Sequence, residues 1–105
     1  MGLLEGVQDR GVADVSPYAD AILCDHALSE MARRTISESD IRAVLTAPES
    51  IIPVRPGRVV LQKLVLRGDP ARQFLLRVFI DVDRTPPVVV TAYRTTKHEK
   101  YRNRP

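Results

Sequence analysis

Residues 58–82, RVVLQKLVLRGDPARQFLLRVFIDV, decide the fold. Two apolar segments, Arg58 to Leu66 and Phe74 to Val82, each read as a strand, and Arg67-Gly68-Asp69-Pro70 between them reads as a turn. Alternation along the second segment puts Phe74, Leu76, Val78, Ile80 and Val82 on one face and Leu75, Arg77, Phe79 and Asp81 on the other. Upstream, Ile51 and Ile52 start a further strand that ends at the turn Arg55-Pro56-Gly57. Downstream, Asp83 to Pro86 turns the chain into a third long strand, Val88 to Tyr93, where Thr91 and Tyr93 are expected to share a face with Val89. Parallel neighbours need long crossovers, so connections this short predict an antiparallel meander.

Before Pro48 the apolar period is that of helices. Asp25 suits an N-cap ahead of residues 26–34, HALSEMARR. At 100° per residue, Ala27, Leu28, Met31 and Ala32 share one side of that helix, and His26, Glu30 and Arg33 lie opposite, with Arg34 beside His26. Ser37-Glu38-Ser39-Asp40 has capping-box spacing with Asp in the fourth place, and the second helix, 38–46, buries Ile41, Val44 and Leu45. Ala21 to Leu23 is a candidate for one more short strand. The expectation is an α+β domain of residues 18–105: two N-terminal helices packed on one face of a three- to four-stranded antiparallel sheet. Residues 1–17, with three Gly and no clean period, read as a loosely attached arm.

Composition narrows the function. The 105 residues fit one domain, 44% hydrophobic and 28% charged, and no window approaches the roughly 18 apolar residues of a membrane span. MGLLEGVQDRG lacks the basic region and apolar core of a secretory signal. The single Cys24 leaves no internal disulfide and no cysteine-rich zinc site, so a cytoplasmic protein is expected. Residues 1–50 carry four Arg against nine acids, a net of −5, whereas residues 51–105 carry twelve Lys or Arg against four acids, a net of +8. A basic half is either a solvated charge pattern or a face for a polyanion, of which nucleic acid is the commonest in the cytoplasm.

Several residues stand out as chemistry-bearing. Histidine is the residue type suited to acid–base work near neutral pH, and His26 is expected opposite the core side of its helix, where Arg34 is placed to neutralise a phosphate. Arg77 interrupts FLLRVFI on a face it shares with Leu75 and Phe79, and a guanidinium there needs a partner, either Asp81 on the same face or a ligand phosphate. Thr91 and Tyr93, followed by Arg94, Thr95, Thr96 and Lys97, put hydroxyls and cations at a strand end, which suits phosphate and sugar contacts. Lys63 interrupts VVLQKLVL in the same way, and Tyr93 and Tyr101 are candidates to stack on a base. Two histidines, His26 and His98, with no HxxxH or HxH pair give no metal motif, and no glycine-rich phosphate loop is present, so neither metal nor cofactor is expected.

HALSEMARRTISESDIRAVLTAPE (26–49) resembles the HAxxRMxxRxIS opening of a small prokaryotic family known as a domain of unknown function. RPGRVVLQK, FLLRVFID and VVVTAYRTTKHEKY are similar to its later blocks, the last to its VVTxYRTSKxxKY ending, so that the resemblance spans residues 22–103. Glu30 stands where that family often has Arg, and Thr35 where it often has Gly. The family is related at fold level to RelE- and BrnT-type toxins. The resemblance therefore implies a RelE-like domain and a metal-independent endoribonuclease of toxin type, in which the RNA 2′-OH attacks the adjacent phosphate. In that reading His26 or Tyr93 is the acid or base, Arg34 and Arg77 hold the phosphate, and Thr91 orients an oxygen; His98 ranks lower. Lys63, Arg94, Thr96, Lys97 and Tyr101 would bind the nucleic acid. The alternative is a non-catalytic module that uses the same basic face to bind RNA or an antitoxin-like protein.

Overall fold

A computed structural model describes residues 16–101. Residues 1–15 of the expected arm lie outside the described residues, and Ser16 is tied down: its backbone N–H donates to the Thr46 carbonyl at 2.9 Å and its hydroxyl to the Leu45 carbonyl. In chain order the elements are β1 (Ile22–Leu23), α1 (Asp25–Arg34), α2 (Glu38–Thr46), β2 (Ser50–Arg55), β3 (Arg58–Arg67), β4 (Arg72–Asp81), β5 (Val88–Thr95) and the short α3 (His98–Tyr101).

α1 starts one residue earlier than expected. Asp25 is its first residue, Cys24 is the N-cap with no side-chain hydrogen bond, and Asp25 meets the helix dipole with its charge instead. The helix ends at Thr35 in the left-handed region (φ 57°), where the Ile36 N–H reaches back to the Met31 carbonyl at 2.9 Å. Glycine usually fills that conformation, since a β-branched residue is strained in it. α2 is capped as expected: the Ser37 hydroxyl accepts from the Asp40 N–H at 3.1 Å.

The sheet has five strands in the order β1-β5-β4-β3-β2 and is mixed, which corrects the expected three- to four-stranded antiparallel sheet. β2 to β5 form the antiparallel meander, and β1 pairs parallel to β5 through Ile22↔Val88 and Leu23↔Val89. A two-residue strand carries no period to read, and its partner lies across both helices and the meander. β2 is an edge strand, the position in which Pro53 is tolerated.

α1 and α2 cover one face. Ala27, Met31, Ile41, Val44 and Leu45 pack there with Leu61, Leu76, Val78, Ile80, Val89 and Ala92. The pairing of β4 with β5 shifts between Phe79 and Ile80: Phe79 faces Thr91, and Ile80 faces Val89. The extra residue is a β-bulge, which breaks simple alternation. Val89 therefore belongs to the helix-covered core, on the face opposite Tyr93, contrary to the expected alternation. On the face turned away from α1 and α2, Val60, Gln62, Leu75 and Arg77 are also buried. Among the described residues no helix is long and apolar enough to cross a membrane.

Candidate functional site

The expected site residues fall into three groups, the first divided from the second by the sheet. The first lies on the face turned away from α1 and α2. Arg77 pairs across strands with Gln62 on one side and Tyr93 on the other. Its side chain is 1% exposed, and burying a guanidinium is costly unless hydrogen bonds replace its water. The Nε donates to Gln62 Oε1 at 2.5 Å and an Nη to the Tyr93 hydroxyl at 2.5 Å. The guanidinium also lies over the rings of Tyr101, Phe79 and Tyr93, 4.7, 5.4 and 5.6 Å from their centroids. Tyr101 reaches it from α3 and meets Tyr93 edge-on. Asp81 is not its partner. It is four residues along the strand, roughly 13 Å away at 3.3 Å per residue, and it pairs instead with Arg58 at 2.7 Å. The hydrogen bond from Arg58 outweighs partial burial and, with the charges of Arg58, Arg84 and Arg55, holds the Asp81 carboxyl below its ordinary range.

The second group runs along α1. His26 is exposed, four residues before Glu30, and Arg34 is four residues after it. Arg34 pairs with Glu30 at 2.8 Å and reaches the outer edge of β5, where it donates to the Ala92 carbonyl at 2.8 Å and lies 3.4 Å from the Thr91 hydroxyl. β1 pairs with β5 only as far as Val89, so Ala92 lies beyond the strand neighbour on that side. Glu30 also holds Arg33. Burial pushes the Glu30 carboxyl up, but the hydrogen bond from Arg33 and the charges of Arg33, Arg34 and His26 bring it below its ordinary range. A carboxylate thus occupies the place between His26 and Arg34 where a phosphate was expected.

The structure brings Arg34 to Thr91 and Arg77 to Tyr93, but it does not bring His26 to Arg77. α1 covers one face, and Arg77 points to the other. A reaction centre needing His26 and Arg77 on one phosphate is not assembled.

The third group is at the end of the sheet where the β3–β4 hairpin meets the end of β5. Arg72 and Arg94 lie over the Phe74 ring from β4 and β5, at 5.7 and 5.6 Å. Arg94 is held by the Thr35 carbonyl at 3.0 Å. Thr96 and Lys97 are exposed just beyond, the Lys97 N–H donating to the Thr95 hydroxyl at 3.0 Å. Lys100 lies over the Tyr101 ring at 5.3 Å and so stands on the Arg77 side of the sheet. Arg67 at this end is bound to Asp40, but among the described residues no carboxylate pairs with Arg72, Arg94, Lys97 or Lys100. Lys63 stands apart from them, donating to the Ala47 carbonyl at 2.8 Å. The side chain of His98 lies outside the described residues.

Sequence reasoning missed Gln62, Arg72 and Phe74. Gln62 acts only through the register that sets it opposite Arg77. The Arg72–Phe74 spacing of two residues was readable, but the diagonal approach of Arg94 was not.

Two helices laid on one face of a mixed five-stranded sheet, with a polar cluster in the other, define a small α+β domain. The chain belongs to the family described as Domain of unknown function (DUF4258), which it matches over residues 23–94. No curated protein and no solved structure shows significant similarity to it.

Proposed function

We propose that this protein is a non-catalytic RNA-binding module whose contact surface is the cationic end of the sheet: Arg72, Arg94, Thr96, Lys97 and Lys100. The observation that carries the reading is that Arg72 and Arg94 converge on the Phe74 ring and that they, like Lys97 and Lys100, have no carboxylate partner among the described residues, whereas Arg33, Arg34, Arg58 and Arg67 each have one. Phosphate contacts supply sequence-independent affinity, and exposed hydroxyls beside cations suit a sugar-phosphate backbone. RNA is chosen over other polyanions because of the resemblance to RelE- and BrnT-type toxins, a relationship that is itself part of the proposal, as is a cytoplasmic location. The separation of His26 from Arg77 weighs against an endoribonuclease and favours binding alone.

The test is fluorescence anisotropy of labelled RNA across a salt series in EDTA, with the RNA run on a gel afterwards. Four contacts predict that log K falls with log salt at a slope of about −3, from roughly −0.7 per phosphate on a single strand. RNA should remain intact. Absence of binding at low salt overturns the reading; cleavage in EDTA that is lost in Tyr93→Phe would restore the catalytic one.

A further inference from the structure

Resting on that reading, we infer that the Arg72–Phe74–Arg94 stack is a subsite for unpaired bases, so that the RNA bound is single-stranded. Phe74 is the first apolar residue of β4 and is only partly buried. Arg72 precedes it by two residues on the same face, and Arg94, opposite Leu76, approaches diagonally from β5. Both guanidiniums lie over the one ring, at 5.7 and 5.6 Å. Two like charges are gathered on one side chain, and neither has a carboxylate partner among the described residues.

Simple electrostatic attraction does not require this arrangement. A lysine would neutralise a phosphate as well as an arginine, but it has no flat face. A guanidinium seated on a ring extends the stacking surface and keeps its edge N–H groups for phosphate. Arg94 is moreover fixed in place by the Thr35 carbonyl at 3.0 Å, so little freedom is lost when a ligand arrives. Bases within a duplex are stacked on each other and offer only their edges, whereas unpaired bases stack on aromatic rings and on arginine planes. The stack therefore selects single strands, and Lys97, exposed just past the end of β5, follows the backbone.

The experiment compares a 12-nucleotide oligouridylate with an RNA duplex of equal phosphate number, using wild type, the double variant Arg72→Lys/Arg94→Lys, Phe74→Leu and Phe74→Tyr. Each variant is checked for a native circular dichroism spectrum and thermal transition. The double lysine variant keeps every charge, so its salt slope should match wild type, while single-strand affinity falls about tenfold further than duplex affinity does, the scale of losing one stacked base. Phe74→Leu should lose a similar factor, and Phe74→Tyr, which keeps the ring, should stay within about twofold. Single-strand affinity unchanged in the double lysine variant, or wild type binding duplex as tightly as single strand, overturns the inference while leaving RNA binding in place. Wild type binding neither RNA overturns both.

Discussion

Substituting Gln62 and Arg77 singly and together tests what holds the second face of the sheet. Gln62→Leu leaves the guanidinium, 1% exposed, without the acceptor at 2.5 Å from its Nε. Hydrogen bonds to charged groups contribute about 1.5–3 kcal/mol, and the lost acceptor cannot be replaced by water at this depth, so a loss of about 2–3 kcal/mol is expected. In a domain of this size that lowers the thermal midpoint by roughly 10 °C or more. Arg77→Met removes the charge but leaves the Gln62 amide and the Tyr93 hydroxyl with one partner fewer, for a loss of about 2 kcal/mol. In the double variant leucine and methionine face each other, the buried charge is gone, and the loss should fall short of the sum by at least about 1 kcal/mol. Urea unfolding followed by circular dichroism measures all three. Additive losses, or a Gln62→Leu variant within about 0.5 kcal/mol of wild type, would refute the view that the amide is what makes the buried cation tolerable. RNA affinity adds a second readout: Arg77→Met should bind within about twofold of wild type per folded molecule, because a residue this buried is not a phosphate ligand in the reading proposed.

Thr35→Gly should stabilise the protein by about 0.5–1 kcal/mol in urea unfolding, because relief of left-handed strain, about 1–2 kcal/mol, exceeds the greater chain entropy of glycine; the Thr35 carbonyl that holds Arg94 is retained. Ser37→Ala removes the acceptor for the Asp40 N–H and should lower stability by about 1 kcal/mol. The Asp81 carboxyl titrates below its unfolded value, so its contribution is present above the ordinary carboxylate range and is lost as pH falls through that range and below it. Urea midpoints between pH 6 and pH 3 should therefore fall less steeply in Asp81→Asn than in wild type, and identical slopes would contradict the pairing with Arg58.

Much of the fold was legible because its signals are local. The turns at Arg67–Pro70 and Asp83–Pro86 and the alternation of Phe74 to Val82 fixed the meander, and Ser37 fixed the start of α2. The errors arose where local signals do not reach. The candidate strand at Ala21 to Leu23 is present as β1, but its parallel pairing, Ile22↔Val88 and Leu23↔Val89, joins partners some 66 positions apart in sequence, and two residues show no period that would reveal it. The bulge between Val89 and Thr91 was equally silent, since one extra residue in a run of valines leaves the apolar pattern unchanged while moving Val89 to the opposite face from Tyr93.

That sheet geometry is also why the candidate site was only half legible. Residue type singled out Arg77, Tyr93, Arg34 and Thr91, and the structure joins them in pairs, but residue type carries no sign for the side of the sheet. His26 and Arg77 each looked like parts of one phosphate site, and the layer of β5, β4 and β3 lies between them. Arg77 then spends its donors on Gln62 and Tyr93, and Arg34 on Glu30 and Ala92, so the two arginines that looked most catalytic act as supports. In the reading proposed, the ligand falls instead to Arg72 and Arg94 at the sheet end around Phe74, which meet a ring and a backbone carbonyl but no carboxylate among the described residues.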